Sequence, residues 1–162
     1  MKAAVLTVST SLAGASEADG DQSGPLLERW IADLGLELAG AEVVADDRES
    51  IASRLRHWAD GEGCALVVTT GGTGFAPDDV TPEATRAVCD RDAPGIAEAI
   101  RAASRAETPR WMLSRGAAGL RGRTLIVNFP GSPKALAATT AALTPALPHG
   151  LRLLVGERDP HG

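Results

Sequence analysis

Lysine is almost missing from this chain. Only Lys2 and Lys134 occur among its 16 basic residues. With a net charge of −5 there is no basic stripe of the kind that grips a phosphate backbone, which excludes a general nucleic-acid binder. Cysteine is equally scarce. Cys64 and Cys89 form no C-x-x-C pair and are expected as buried thiols. The three histidines, His57, His149 and His161, are scattered and offer no zinc-ligand spacing. No apolar run approaches the roughly 20 residues of a membrane helix. The chain opens directly on an apolar strand and lacks the shape of a signal peptide, so a reducing cytoplasm is the expected compartment. Neither G-x-x-x-x-G-K-[ST] nor G-x-G-x-x-G occurs, which removes the P-loop and the Rossmann dinucleotide site.

What is present is glycine in one telling place. The run Thr69-T-G-G-T-G-F-A-P-D-D-V-T-P-E-A-Thr85 follows an apolar strand and leads into a helix. Gly71, Gly72 and Gly74 allow positive φ and a close approach of backbone to ligand. Successive N–H groups from Thr70 to Gly74, Thr73 included, can form a nest for an anion. Asp78 and Asp79 place carboxylates beside it. Donors next to carboxylates suit a phosphate ester held with Mg²⁺.

A second such element is Asn128-Phe129-Pro130-Gly131-Ser132-Pro133-Lys134. Ser132 reads as an N-cap and Pro133 as a first helical residue, so a helix N-terminus and a cation, Lys134, would face an anion there. An ordinary strand-to-helix turn accounts for the same residues. Asp46-x-x-Glu49 has the form of a capping box that needs no function. Ser114-Arg115 precedes a glycine-rich turn, where it would contact a phosphate or face water. Asp21, Ser23 and Gly24 lie where the first helix starts, and Ser23 as its cap explains them adequately.

Between these motifs the elements alternate. Strands are expected at 2–9, ending near Val43-Val44, at 64–70 and over Thr124–Phe129. Helices are expected from Ser23 to Gly35, from a cap at Asp46 or Asp47, from a cap at Thr81, and from Pro94 to Arg105. Two more are expected over 132–143 and from Leu143 to Val155. Leu26, Leu27, Trp30, Ile31 and Leu34 share one helical face, and Ile51, Leu55 and Trp58 another. The polar stretch 10–22 reads as loop and the tail 156–162 as frayed. The segment 107–122 is ambiguous, with Met112-Leu113 a candidate short strand and Gly116–Gly122 a turn. This pattern predicts one domain over 1–162: a three-layer αβα sandwich around a mostly parallel sheet. Its ligand cleft would lie at the carboxyl ends of the strands.

Taken together, these motifs resemble the MogA/MoaB family of molybdenum-cofactor biosynthesis, related to the gephyrin G domain. The family's T-[TS]-G-G-T-G-x-x-x-x-D-x-T-P-[ED] signature stands at Thr69–Glu83. Its N-x-P-G-x-P-K stands at Asn128–Lys134, its D-x-S-G-P at Asp21–Pro25 and its L-S-R-x-x-x-G at Leu113–Gly119. The resemblance implies a molybdopterin adenylyltransferase that uses ATP and Mg²⁺, with Asp46 and Asp79 as catalytic and metal-binding aspartates. It implies substrate contacts from the motif residues Asp21, Ser23, Gly24, Thr70, Gly71, Gly72, Thr73, Gly74, Ser114, Asn128, Pro130, Gly131, Ser132 and Lys134. A homotrimer, with a hexamer as the MoaB-type variant, and a molybdate-insertion protein as partner are further implications. One departure stands out: many members carry S-D-R after the first strand, where this chain has Ser11-Leu12-Ala13. It opens a second reading, a MoaB-type paralogue that binds pterin, nucleotide or a partner protein without catalysing.

Overall fold

A computed structural model describes residues 1–14 and 20–157; part of the 10–22 loop and most of the charged tail, with His161, lie outside them. Among the described residues, six strands form one sheet in the order β2-β1-β3-β6-β5-β4. Four of them are β1 (Lys2–Val8), β2 (Glu37–Val44), β3 (Leu66–Thr70) and β6 (Thr124–Phe129). They run parallel, so their carboxyl ends share one edge. The remaining two, β4 (Arg91–Asp92) and β5 (Ala118–Arg121), extend the sheet beyond β6, with β5 antiparallel to β6 and β4 antiparallel to β5.

Parallel strands are covered on both faces, and residue parity divides the core. On one side Ala3 and Val5, Leu66 and Val68, and Leu125, Val127 and Phe129 pack beneath four helices. These are α2 (Ser23–Asp33), α5 (Pro94–Ser104), α6 (Pro133–Leu143) and α7 (Leu147–Val155). On the other side Ala4, Leu6, Val67 and Ile126 meet α3 (Arg48–Arg56), a π-helical turn at His57–Gly61, and α4 (Thr81–Val88). The three-layer expectation therefore holds. Trp30 and Trp58 are core residues, one on each side. Trp30 meets the Phe129 ring edge-on at 5.4 Å. Gly40 is small because a Cβ there would collide with the Trp58 ring. Cys64 and Cys89 are free, and burial pushes both thiols up to about 11.

Several local expectations change. The first-strand loop begins with a helical turn, α1 (Thr10–Ala13), capped by the Ser9 hydroxyl, which accepts from Leu12 N. The stretch Met112-Leu113 is not a strand; it belongs to a 3-10 turn, Trp111–Leu113. The supposed turn at 116–122 contains β5, because Ala117 and Ala118 are drawn into the core against β6. Thr81 is not the cap of α4. It is the first helical residue, fully buried, and its hydroxyl donates to the Gly71 carbonyl.

Candidate active site

Because β1, β2, β3 and β6 point the same way, the loops after Val8, Val44, Thr70 and Phe129 converge at one edge. A cavity of about 310 Å³ opens there. Thr7, Val8, Ser9 and Leu12 form one wall, Gly20 to Ser23 a second, and Thr70-Gly71 with Gly131 and Pro133 a third. The two motifs meet directly: a Cβ on Gly131 would lie 3.4 Å from the Cα of Gly71. Gly71 has φ +95° and Gly72 φ +66°, in the left-handed region. A side chain on Gly71 would also strike the Val8 carbonyl.

Side chains pin this edge. Thr70 Oγ1 donates to the Pro130 carbonyl at 2.9 Å, and Ser23 Oγ donates to the Gly131 carbonyl at 2.9 Å. Asp21 does what was expected of Ser23: its Oδ1 accepts from Ser23 N at 3.0 Å and Gly24 N at 2.8 Å. Its Oδ2 accepts from the Thr7 hydroxyl at 2.7 Å. The bare Gly24 is what lets this carboxylate approach, since a Cβ would overlap it.

The two aspartates flank the glycine loop. Asp46 and Asp47 divide the alternatives open in the sequence. Asp47 caps α3, accepting from Ser50 N at 2.8 Å and from the Ser50 hydroxyl at 2.7 Å; the hydroxyl bond first, then the backbone one, holds its carboxyl below the usual range. Asp46 is thereby left free of the helix. Its Oδ2 accepts from the Thr10 N–H and hydroxyl, each at 2.9 Å. Its Oδ1 faces Gly72, 3.2 Å from where a Cβ would stand. Asp79 lies on the other flank. Its Oδ2 accepts from Ala76 N at 3.0 Å and sits 2.8 Å from a would-be Cβ of Gly74.

Arg115 is half-buried and does not line the cavity. Its backbone N–H donates to the Thr73 carbonyl, and its guanidinium donates to the carbonyls of Gly74 and Asp79 and to both oxygens of Glu83. Sequence reasoning did not single out Glu83, which closes the glycine signature as the E of T-P-E and pairs with Arg115. The Ser114 hydroxyl accepts weakly from Gly116 N at 3.4 Å. Asn128 points away from the cavity, 2% exposed. Its amide donates to the Thr69 and Thr85 hydroxyls and its carbonyl accepts from Ala117 N. Ser132 and Lys134 are exposed on the first turn of α6, and the Ser132 side chain makes no capping bond.

Fold and edge together define an α/β sandwich with a cleft at the carboxyl ends of its parallel strands, beside a glycine loop flanked by two carboxylates. A family model described as a probable molybdopterin binding domain matches residues 4–149. The chain belongs to the MogA/MoaB family. It is similar to a molybdopterin adenylyltransferase of Helicobacter pylori strain J99, 45% identical over 115 residues, 71% of this chain and 65% of that protein. The molybdenum cofactor synthesis protein cinnamon of Drosophila melanogaster is 40% identical over 152 residues, 93% of this chain and 25% of that protein. The chain thus spans less than two thirds of the length of these curated relatives. Among solved structures, the molybdopterin biosynthesis enzyme MoaB from Thermus thermophilus is 44% identical, with a TM-score of 0.87 over 96% of each chain.

Proposed function

We propose that this protein acts in molybdenum cofactor biosynthesis as a molybdopterin adenylyltransferase. The observation that carries the reading is the glycine loop held between Asp46 and Asp79, with Gly71 in the lining of the cavity. The names of the relatives give the substrate pair. In the reaction an oxygen of the pterin's terminal phosphate attacks the α-phosphorus of ATP. A new P–O bond forms, the bond from the α-phosphorus to the α,β-bridging oxygen breaks, and pyrophosphate leaves with that oxygen. The nucleophile is already ionised at neutral pH, so no general base is needed. The demand on the protein is to hold two anions in line and to offset their charge.

Asp46 and Asp79 suit metal and phosphate positioning. Each keeps one carboxylate oxygen without a protein donor among the described residues. Mg²⁺ is usually held by one or two carboxylates together with substrate phosphates. No cluster of three or more His, Cys, Asp or Glu able to hold a metal occurs among the described residues, so a shared site fits better than a closed protein cage. When bound, Mg²⁺ supplies charge neutralisation at the reacting phosphates. The backbone at Gly71–Gly74 and the α6 N-terminus would supply N–H donors to the same groups.

A second reading, a paralogue that binds without turnover, draws on Leu12. This apolar side chain lines the cavity where the resemblance led to an aspartate. The deciding experiment incubates the protein with molybdopterin, ATP and Mg²⁺ and assays adenylylated pterin, with Asp79→Asn in parallel. Product that vanishes in the variant while pterin binding persists supports the enzyme. Tight pterin binding without product supports the paralogue. A homotrimer is the expected assembly, a cytoplasmic one that can hand product to a molybdate-insertion protein. Light scattering at the monomer mass of 16.6 kDa would refute the trimer.

A further inference from the structure

The turn between Gly74 and Asp79 carries the second aspartate and has little of its own to hold it. Phe75 to Asp78 are exposed, Phe75 by 70%. Within the turn, Asp79 N donates to the Ala76 carbonyl and Ala76 N donates to the Asp79 carboxylate, both at 3.0 Å. The other ties come from a single residue 36 positions away from Asp79. Arg115 Nε donates to the Gly74 carbonyl at 2.8 Å and one terminal nitrogen to the Asp79 carbonyl at 2.7 Å, so one planar group spans both ends of the turn. Its backbone N–H holds Thr73, one residue earlier, at 2.8 Å.

Glu83, in the first turn of α4, accepts from the terminal nitrogens of the guanidinium through both carboxylate oxygens. Four side-chain bonds thus use Nε and both terminal nitrogens, out of about five N–H donors. The charge is matched by Glu83. An arginine committed this way is poorly placed to bind a substrate phosphate. It is well placed to fix where Asp79 stands.

We propose that Arg115, held by Glu83, is a positioning residue for Asp79 and the glycine loop, acting on turnover and not on substrate affinity. Substrates would bind mainly through the cavity, while rate depends on where the Asp79 carboxylate sits. A displacement of about 1 Å at such a group costs on the order of 100-fold in rate. A lysine cannot replace the arginine, because an ammonium has no planar fork to reach both carbonyls and the carboxylate together.

The inference rests on the proposed adenylyl transfer for its rate readout. Arg115→Ala, Arg115→Lys and Glu83→Gln are compared by steady-state kinetics per folded molecule, with melting curves alongside. Arg115→Ala is expected to lower kcat by about 100-fold, with KM for ATP and for molybdopterin within about threefold. Arg115→Lys should remain close to the alanine variant, and added guanidinium ion should restore part of the alanine variant's turnover. Glu83→Gln, which keeps an acceptor and loses the charge, should fall by about tenfold. A raised KM with kcat intact would make Arg115 a direct substrate ligand and overturn the proposal. So would wild-type kcat once the folded fraction is corrected. If the wild-type protein forms no product, the reaction itself is wrong, and hydrogen exchange at the Asp79 amide tests the clamp alone. Exchange about tenfold faster in Arg115→Ala supports it; unchanged exchange refutes it.

Discussion

Thr10 and Asp46 exchange three hydrogen bonds across 36 residues of chain: two from Thr10 to the Asp46 carboxylate, and one from Asp46 N back to the Thr10 hydroxyl. They tie the loop after β1 to the loop after β2 and aim the free carboxylate oxygen at Gly72. Thr10→Val removes both bonds made by the hydroxyl and keeps the backbone one. A hydrogen bond to a charged group is worth about 1.5–3 kcal/mol, so adenylylation should fall by about tenfold or more. Thr10→Ser should stay near wild type. Product formation and thermal melting, measured together, separate misplaced Asp46 from a loosened fold.

The neighbouring aspartates should behave oppositely. Asp47→Ala removes the cap of α3 and is expected to lower the melting temperature by a few degrees while turnover per folded molecule is kept. Asp46→Asn should leave melting nearly unchanged and abolish product. Turnover lost in Asp47→Ala and kept in Asp46→Asn would reverse the assignment.

Asn128 is expected to act on stability. Its buried amide satisfies the hydroxyls of Thr69 and Thr85 and the N–H of Ala117, linking β3, α4 and the start of β5. Asn128→Ala strands these groups in the core at a cost of about 2–4 kcal/mol. Urea unfolding should show that loss, with pterin affinity of the folded fraction changed by less than about threefold.

Acid should loosen the Glu83 clamp, while the neutral range leaves it intact. Arg115 holds the Glu83 carboxyl below its ordinary value of 4.5, and Arg121 likewise holds Asp60 below 3.8. A lowered folded-state value means stability that is fully present above the ordinary value and lost as pH falls through the lowered one. These pairs therefore contribute a flat term from about pH 5 to 8 and a declining one below about 4. Melting temperatures of wild type and Glu83→Gln should differ at about pH 7 and converge toward about pH 3. A gap that widens in acid would contradict the assignment.

The parallel half of the fold was readable because its signals are strong and local. Continuous apolar strands meet glycine or proline turns at Gly71 and Pro130, and Ile51, Leu55 and Trp58 mark a helix face. The antiparallel edge was not readable. β4 and β5 are two and four residues long, too short for any period, and β5 is a strand only because Ala118 packs beside Val127. Capping was misjudged at α2, where two polar residues stand close together. Asp21 and Ser23 both suit a helix start, and the choice was made by Thr7 and Gly131, residues distant from them in sequence. The role of Arg115 was hidden for the same reason, since the Gly74 carbonyl it holds lies 41 residues upstream.

The place of β6 governs when in a chain's life the cleft can exist. β6 joins the sheet beside β3, with Asn128 reaching Thr69 across 59 residues, and the Pro130-Gly131 wall follows it. A nascent polypeptide, or one cut short before β6, already carries the glycine loop and both aspartates. It lacks the wall that Thr70 and Ser23 grip. In such fragments the cavity lacks one of its three walls, which is complete only when β6 has joined the sheet and the turn after it is in place.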